Sequence, residues 1–212
     1  ISGDFYDFYT HNDQIYFTLC DVSGKGVNAG MVMARAITLF KIYSKNKFKP
    51  NEIHYEMNND LRQTNPKGVY VTSIVGSYNS QTDIVELSNA GHLPALFKNG
   101  KGFKEYESSS LPLGIKKADN SNEYKLESFK LDNGRLYCFT DGFSECRNDK
   151  GEEIGIAGVK DLINSYQNTS LKKELSKIIK DVEGKSTKGQ NFDQNSDENI
   201  LEDDLTRIGL GK

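Results

Sequence analysis

The chain opens with two short segments, Ile1 to Thr10 and Ile15 to Asp21, that are dense in aromatic and β-branched residues and separated by the turn-forming His11, Asn12 and Asp13. Side chains of that kind fit a pleated, half-buried surface, so the pattern predicts a β-hairpin. Past the loop Ser23 to Gly26 the spacing changes. Met31, Ala34, Ile37, Leu39 and Ile42 recur at intervals that keep an apolar stripe on one side of a helix, with Asn28 available as its cap. A second helix is predicted from Pro50, where proline's missing N–H costs nothing in the first turn, to just before Pro66.

Period two returns from Gly68 to Leu87. Val69, Val71, Ser73 and Val75 alternate with Tyr70, Thr72 and Ile74, and a turn at Asn79 to Asp83 leads into a strand at Ile84 to Leu87. Leu93 to Phe97 and Phe103 to Tyr106 flank an Asn99-Gly100 turn as another hairpin, and Tyr124 to Leu131 and Arg135 to Thr140 are predicted to pair around Asp132-Asn133-Gly134. Helical periodicity reappears in Ile156 to Tyr166 and Leu171 to Val182, and a short strand follows at Leu205 to Leu210. Runs of strands kept apart from runs of helices imply an α+β fold with a sheet-rich core and helices laid over its faces. No internal repeat is visible.

Composition then excludes several classes. A length of 212 residues suits one domain, 1–212, with enough apolar content (36%) to build a core. No apolar run approaches the roughly eighteen residues of a membrane span, and mean hydropathy is −0.63, so no membrane contact is expected. The opening ISGDFYDF holds two carboxylates and no basic region, unlike a secretory signal; it reads as the middle of a fold, which suggests a domain cut from a longer chain. The net charge of −3 argues against a nucleic-acid binder, which needs a basic surplus to displace counterions. Cys20, Cys138 and Cys146 show no CxxC or Cys/His spacing, so reduced thiols in a cytoplasmic protein are expected, with Cys20 and Cys138 buried in apolar strands.

Four aspartates share an unusual setting, at or just beyond the end of an apolar run and beside glycine or another acid. They are Asp4 in Ser2-Gly3-Asp4, Asp21 in Asp21-Val22-Ser23-Gly24, Asp141 in Thr140-Asp141-Gly142, and Asp203 in Glu202-Asp203-Asp204. A carboxylate at the end of a buried strand is costly unless a cation neutralises it, and several converging carboxylates are what a hard, oxygen-loving metal such as Mg²⁺ or Mn²⁺ requires. Taken singly, each is also an ordinary turn-initiating aspartate. Ser23-Gly24-Lys25-Gly26 is not a P-loop, because the first glycine and the hydroxyl residue of that motif are replaced by Leu19 and Gly26. Among the histidines, His11 falls in a turn, His54 on the predicted surface of the second helix, and His92 in Asn89-Ala90-Gly91-His92, where it is either a proton donor to a leaving group or a hydrogen-bonded structural residue.

Ser2-Gly3-Asp4-Phe5-Tyr6-Asp7, Asp21-Val22-Ser23-Gly24-Lys25-Gly26, Asn89-Ala90-Gly91-His92, Leu111-Pro112-Leu113-Gly114, Thr140-Asp141-Gly142 and Asp203-Asp204-Leu205-Thr206 occur in an order that resembles the stage II sporulation protein E type of bacterial serine/threonine phosphatase. That group lies within the metal-dependent protein phosphatase 2C (PPM) superfamily. The resemblance spans essentially the whole chain. It implies an αββα sandwich and a site for two Mn²⁺ or Mg²⁺ ions, with Asp21 bridging them and Val22 lending its backbone carbonyl. Asp141 and Asp203 would complete the set, Asp4 would act through coordinated water, and Asp204 and Asp7 sit in the same acidic clusters, which leaves the register open. The phosphate-gripping arginine of animal relatives has no counterpart, since no arginine precedes Arg35; the metals, helped by Lys25, would take its place.

The resemblance further implies hydrolysis of phosphoserine or phosphothreonine on a partner protein by a water activated between the metals. The partner would be an anti-sigma-factor antagonist of the STAS type, and an N-terminal sensor or regulatory domain would control the reaction. Two other readings stand beside this one: a catalytically inactive binding module on the same fold, and a different metallophosphatase or metal-dependent nuclease. The polar segment Gly184 to Asn199 is expected to be a surface loop that tunes partner choice.

Overall fold

The computed structural model describes residues 3–148, 151–166, 171–186 and 207–211. Two compact units divide the chain, one formed by Ile1–Phe139 with Thr206–Lys212 and the other by Thr140–Leu205.

Among the described residues the first unit contains nine strands: β1 (Asp4–His11), β2 (Gln14–Val22), β3 (Val71–Asn79), β4 (Ile84–Ala90), β5 (Ala95–Asn99), β6 (Gly102–Tyr106), β7 (Glu127–Lys130), β8 (Arg135–Phe139) and β9 (Arg207–Gly211). All strand pairs are antiparallel. They form a five-stranded sheet in the order β1-β2-β3-β4-β7 and a four-stranded sheet in the order β6-β5-β8-β9, which leaves β1 as an edge strand. Helices α1 (Val27–Lys45) and α2 (Pro50–Thr64) pack against β1 to β4 of the larger sheet.

Alternation along the strands builds two cores from one sheet. Odd positions of β1 and β3 and even positions of β2 face the helices, where Phe5, Tyr16, Cys20, Val71 and Val75 meet Val32, Ala36, Phe40, Ile53 and Met57. The opposite face carries Phe17, Leu19, Ile74, Val85 and Leu87 against Ala95, Phe97, Leu136 and Cys138 of the second sheet. Two antiparallel sheets, the larger covered by α1 and α2, give the sheet-rich α+β fold expected from the sequence, in keeping with the αββα sandwich that the resemblance implies. The second unit holds the short helix α3 (Asp141–Ser144), α4 (Gly155–Ser165) and α5 (Leu171–Ser186), where the Tyr166 hydroxyl donates to Asp181 at 2.5 Å.

Several expectations change. The buried stripe of α1 is Ala29, Val32, Ala36, Leu39 and Phe40, whereas Met31 is 68% exposed and Ile42 47%. Small alanines on the inner face let the helix lie close to the sheet, and the larger Met31 and Ile42 turn outward. Asn28 does not cap this helix, since Gly26 occupies that position at a φ of 90°. The predicted pairing of 124–131 with 135–140 is also corrected: β7 joins β4 in one sheet, while β8 joins β5 and β9 in the other. The turn between them crosses from sheet to sheet, anchored by the Leu131 N–H on the Asp83 carbonyl. Gly134 is required there because a Cβ would stand 2.4 Å from the Phe97 ring. Beyond the end of α5, the polar segment Gly184 to Asn199 lies outside the described residues. Among the described residues no helix is long and apolar enough to cross a membrane.

Candidate metal-binding site

Strand pairing brings two of the singled-out aspartates together. Asp4, the first residue of β1, stands directly opposite Asp21 near the end of β2, and Asp21 in turn stands opposite Thr72 on β3. Directly opposed residues project to the same face. Here that is the inter-sheet face, so the two carboxylates continue the rows of Leu19 and Ile74 past the end of the apolar core.

Gly3 explains why a carbonyl can join them. A Cβ at this position would lie 2.3 Å from the Val22 carbonyl oxygen and 3.0 Å from Asp21 Oδ1, so only glycine leaves open the space on which both oxygens converge. The Val22 N–H donates to the Gly3 carbonyl at 3.1 Å and so fixes the carbonyl's strand partner, while the Val22 side chain is buried under the helices. Carboxylate and carbonyl oxygens with no nitrogen or sulfur are the donor set that suits Mg²⁺ or Mn²⁺.

Asp141 is the first residue of α3 in the second unit, directly after buried Thr140, and its carbonyl accepts from the Glu145 N–H at 2.8 Å. Asp203 and Asp204 lie outside the described residues, as does any part they have in a ligand set. Among the described residues no three His, Cys, Asp or Glu side chains form a metal-holding group by themselves. Asp7 leaves the candidate site altogether. It projects to the helix side of β1, where the Lys41 ammonium meets it at 2.9 Å.

Both interesting histidines are buried and engaged. His92 Nδ1 lies 2.8 Å from Thr72 Oγ1 and Nε2 lies 3.2 Å from the Phe139 carbonyl oxygen. Burial pushes its pKa down to about 4, against a smaller opposing effect of the Phe139 carbonyl. With both ring nitrogens committed, His92 is not placed to protonate a leaving group. His54 is not on a helix surface as expected but fully buried, its ring held between the hydroxyls of Ser73 and Ser88 at 3.0 Å each. Burial pushes this pKa down to about 3. Cys20 donates to Ser73 Oγ at 3.2 Å, and both Cys20 and Cys138 are buried as expected, which pushes their thiols up to about 12.

Sequence reading missed Gly3, Thr72 and the Ser73-His54-Ser88 cluster. A usable signal existed for the last: Thr18, Ser73 and Ser88 put hydroxyls at strand positions otherwise filled by core residues, so a polar partner had to lie beneath them.

A family model described as stage II sporulation protein E (SpoIIE) matches residues 11–209. The chain is 25% identical over 213 residues to the phosphoserine phosphatase RsbU of Bacillus subtilis (strain 168), covering 99% of this chain and 59% of that protein. Its fold is that of the SiaA-PP2C domain of Pseudomonas aeruginosa, with a TM-score of 0.81, 16% identity, and coverage of 100% of this chain and 80% of the other. RsbX, solved in complex with magnesium, matches with a TM-score of 0.70 and 15% identity over 99% of this chain and 86% of its own.

Proposed function

The chain belongs to the stage II sporulation protein E family, and from that premise we propose that it is a metal-dependent protein phosphatase acting on phosphoserine or phosphothreonine of a partner protein. The observation that carries this reading is the pairing of Asp4 with Asp21 beside the space that Gly3 leaves at the Val22 carbonyl. In it, Asp21 and the Val22 carbonyl would hold divalent cations, with Asp4 supporting the site from the neighbouring strand. Asp141, Asp203 and Asp204 supply the remaining carboxylates. The magnesium complex of RsbX supports the choice of metal class.

When bound, the cations supply an activated water and the positive charge that in-line displacement at phosphorus needs. The chain's own part is positioning. Strand ends hold the carboxylates at the rim of the core, and Lys25, exposed in the loop Ser23 to Gly26, would help to bind phosphate oxygens. Cys20 and Cys138 are kept as thiols and the nitrogens of His54 and His92 are engaged, so none of the four acts as a nucleophile. The name of the phosphoserine phosphatase RsbU favours phosphoserine as the target; that it sits on an anti-sigma-factor antagonist of the STAS type is what the resemblance implies. The chain spans 59% of the length of RsbU; control by an N-terminal regulatory domain, and action in the cytoplasm, remain part of the proposed reading.

The test is hydrolysis of p-nitrophenyl phosphate and of a phosphoserine peptide with Mn²⁺ or Mg²⁺, and again with EDTA. Turnover of both substrates that EDTA abolishes is the expected result. A purified, folded chain that binds a phosphoprotein without turnover at any metal concentration would instead be a binding module.

A further inference from the structure

The Asn89-Ala90-Gly91-His92 turn joins the two sheets. Thr72 lies on β3 of the five-stranded sheet and Phe139 ends β8 of the four-stranded one, and the His92 ring spans them with one nitrogen on each. The proton positions follow from the partners. A backbone carbonyl can only accept, so Nε2 carries the hydrogen given to Phe139. In the neutral ring that burial enforces, Nδ1 is then an acceptor, and the Thr72 hydroxyl donates to it.

The turn is built to hold that ring. The Asn89 carboxamide accepts from the His92 N–H at 2.9 Å and donates to the Leu93 carbonyl at 3.0 Å. Gly91 has a φ of 69°, and a Cβ there would stand 2.4 Å from the Pro112 ring, so the chain can bend only with glycine. Its N–H donates to Ser108 Oγ at 2.6 Å.

Thr72 is the residue directly across from Asp21. Its single hydroxyl proton points to His92. We propose that His92 is a positioning residue: through Thr72 and the Phe139 carbonyl it ties the strand neighbour of Asp21 to the last residue of β8, and so sets the affinity of the Asp21 site for divalent cations. The proposal rests on the phosphatase reading above, and it assigns His92 no contact with substrate.

Mn²⁺ binding by isothermal titration calorimetry, without substrate, tests it in four variants. His92→Ala and Thr72→Val should each weaken binding about 10-fold or more, the usual effect of removing a partner that orients a metal ligand. The double variant should be no weaker than either single one, since both break one link. Thr72→Ser, which keeps the hydroxyl, should stay within about twofold of the parent, a rescue that loss of packing would not produce. Should His92→Ala fail to fold, the near-isosteric Thr72→Val and its serine rescue carry the test alone. A folded His92→Ala or Thr72→Val with parental Mn²⁺ affinity overturns the proposal while the phosphatase reading stands. A parent chain that neither binds Mn²⁺ nor hydrolyses phosphoserine overturns both.

Discussion

Replacing Asp21 with Asn keeps the side chain's shape and removes its charge, so the fold should persist while metal-dependent turnover falls by 100-fold or more, on the order of the effect of losing a principal electrostatic group. Steady-state rates at saturating Mn²⁺ check this, and retention of half the parental turnover would sink the bridging role. Gly3→Ala argues the same point from the backbone. Its methyl would press on the Val22 carbonyl at 2.3 Å, so cation affinity should drop although no ligand is altered. At this scale the sequence was legible where chemistry announces itself, in acids at strand ends. It was silent where tertiary contact decides. Nothing local to His54 tells a buried ring from an exposed one, because the serines that receive it lie 19 and 34 residues away.

Elements were legible in proportion to how far local pattern governed them. The β1-β2 hairpin and α2 follow from alternation, a tight turn and a proline start, and both formed close to the predicted limits. Which strand pairs with which was less legible, because 131–134 reads as a hairpin turn and is in fact a crossing between sheets. Gly76 on β3 shows the same limit in another form. It faces Phe17 of β2 as a cross-strand pair, and a Cβ there would meet the ring at 2.2 Å. Gly76→Ala should therefore destabilise by about 1–3 kcal/mol, the usual cost of overpacking a core. Combining it with Phe17→Leu should recover part of that loss in a denaturant titration, and strictly additive losses would show that the ring is not the obstacle.

For the molecule as a whole, buried neutral histidine predicts the pH dependence of stability. The folded-state pKa of His54 is pushed down to about 3 from an ordinary 6.5, so between those values the unfolded chain binds a proton that the folded one does not. Stability must then rise with pH across that window and be lost as pH falls from 6.5 toward 3, at up to about 1.4 kcal/mol per pH unit. A His54→Gln variant should be less stable at pH 7 yet show a shallower loss between pH 6.5 and 4.5 in thermal melts; equal slopes would mean that His54 does not titrate on unfolding. The class of fold was readable at this scale from the order of elements, whereas no local pattern revealed a single imidazole joining two sheets.

The position of β1 at the edge of its sheet has one more consequence. Asp4 is brought beside Asp21 by the strand that carries it, and among the described residues that strand pairs within its sheet with β2 alone and rests on α1. Unzipping this one ribbon would separate the two carboxylates while β2 to β4 and both apolar layers stayed intact. On the phosphatase reading proposed above, fraying at that border should switch the molecule off at a small fraction of the free energy of melting.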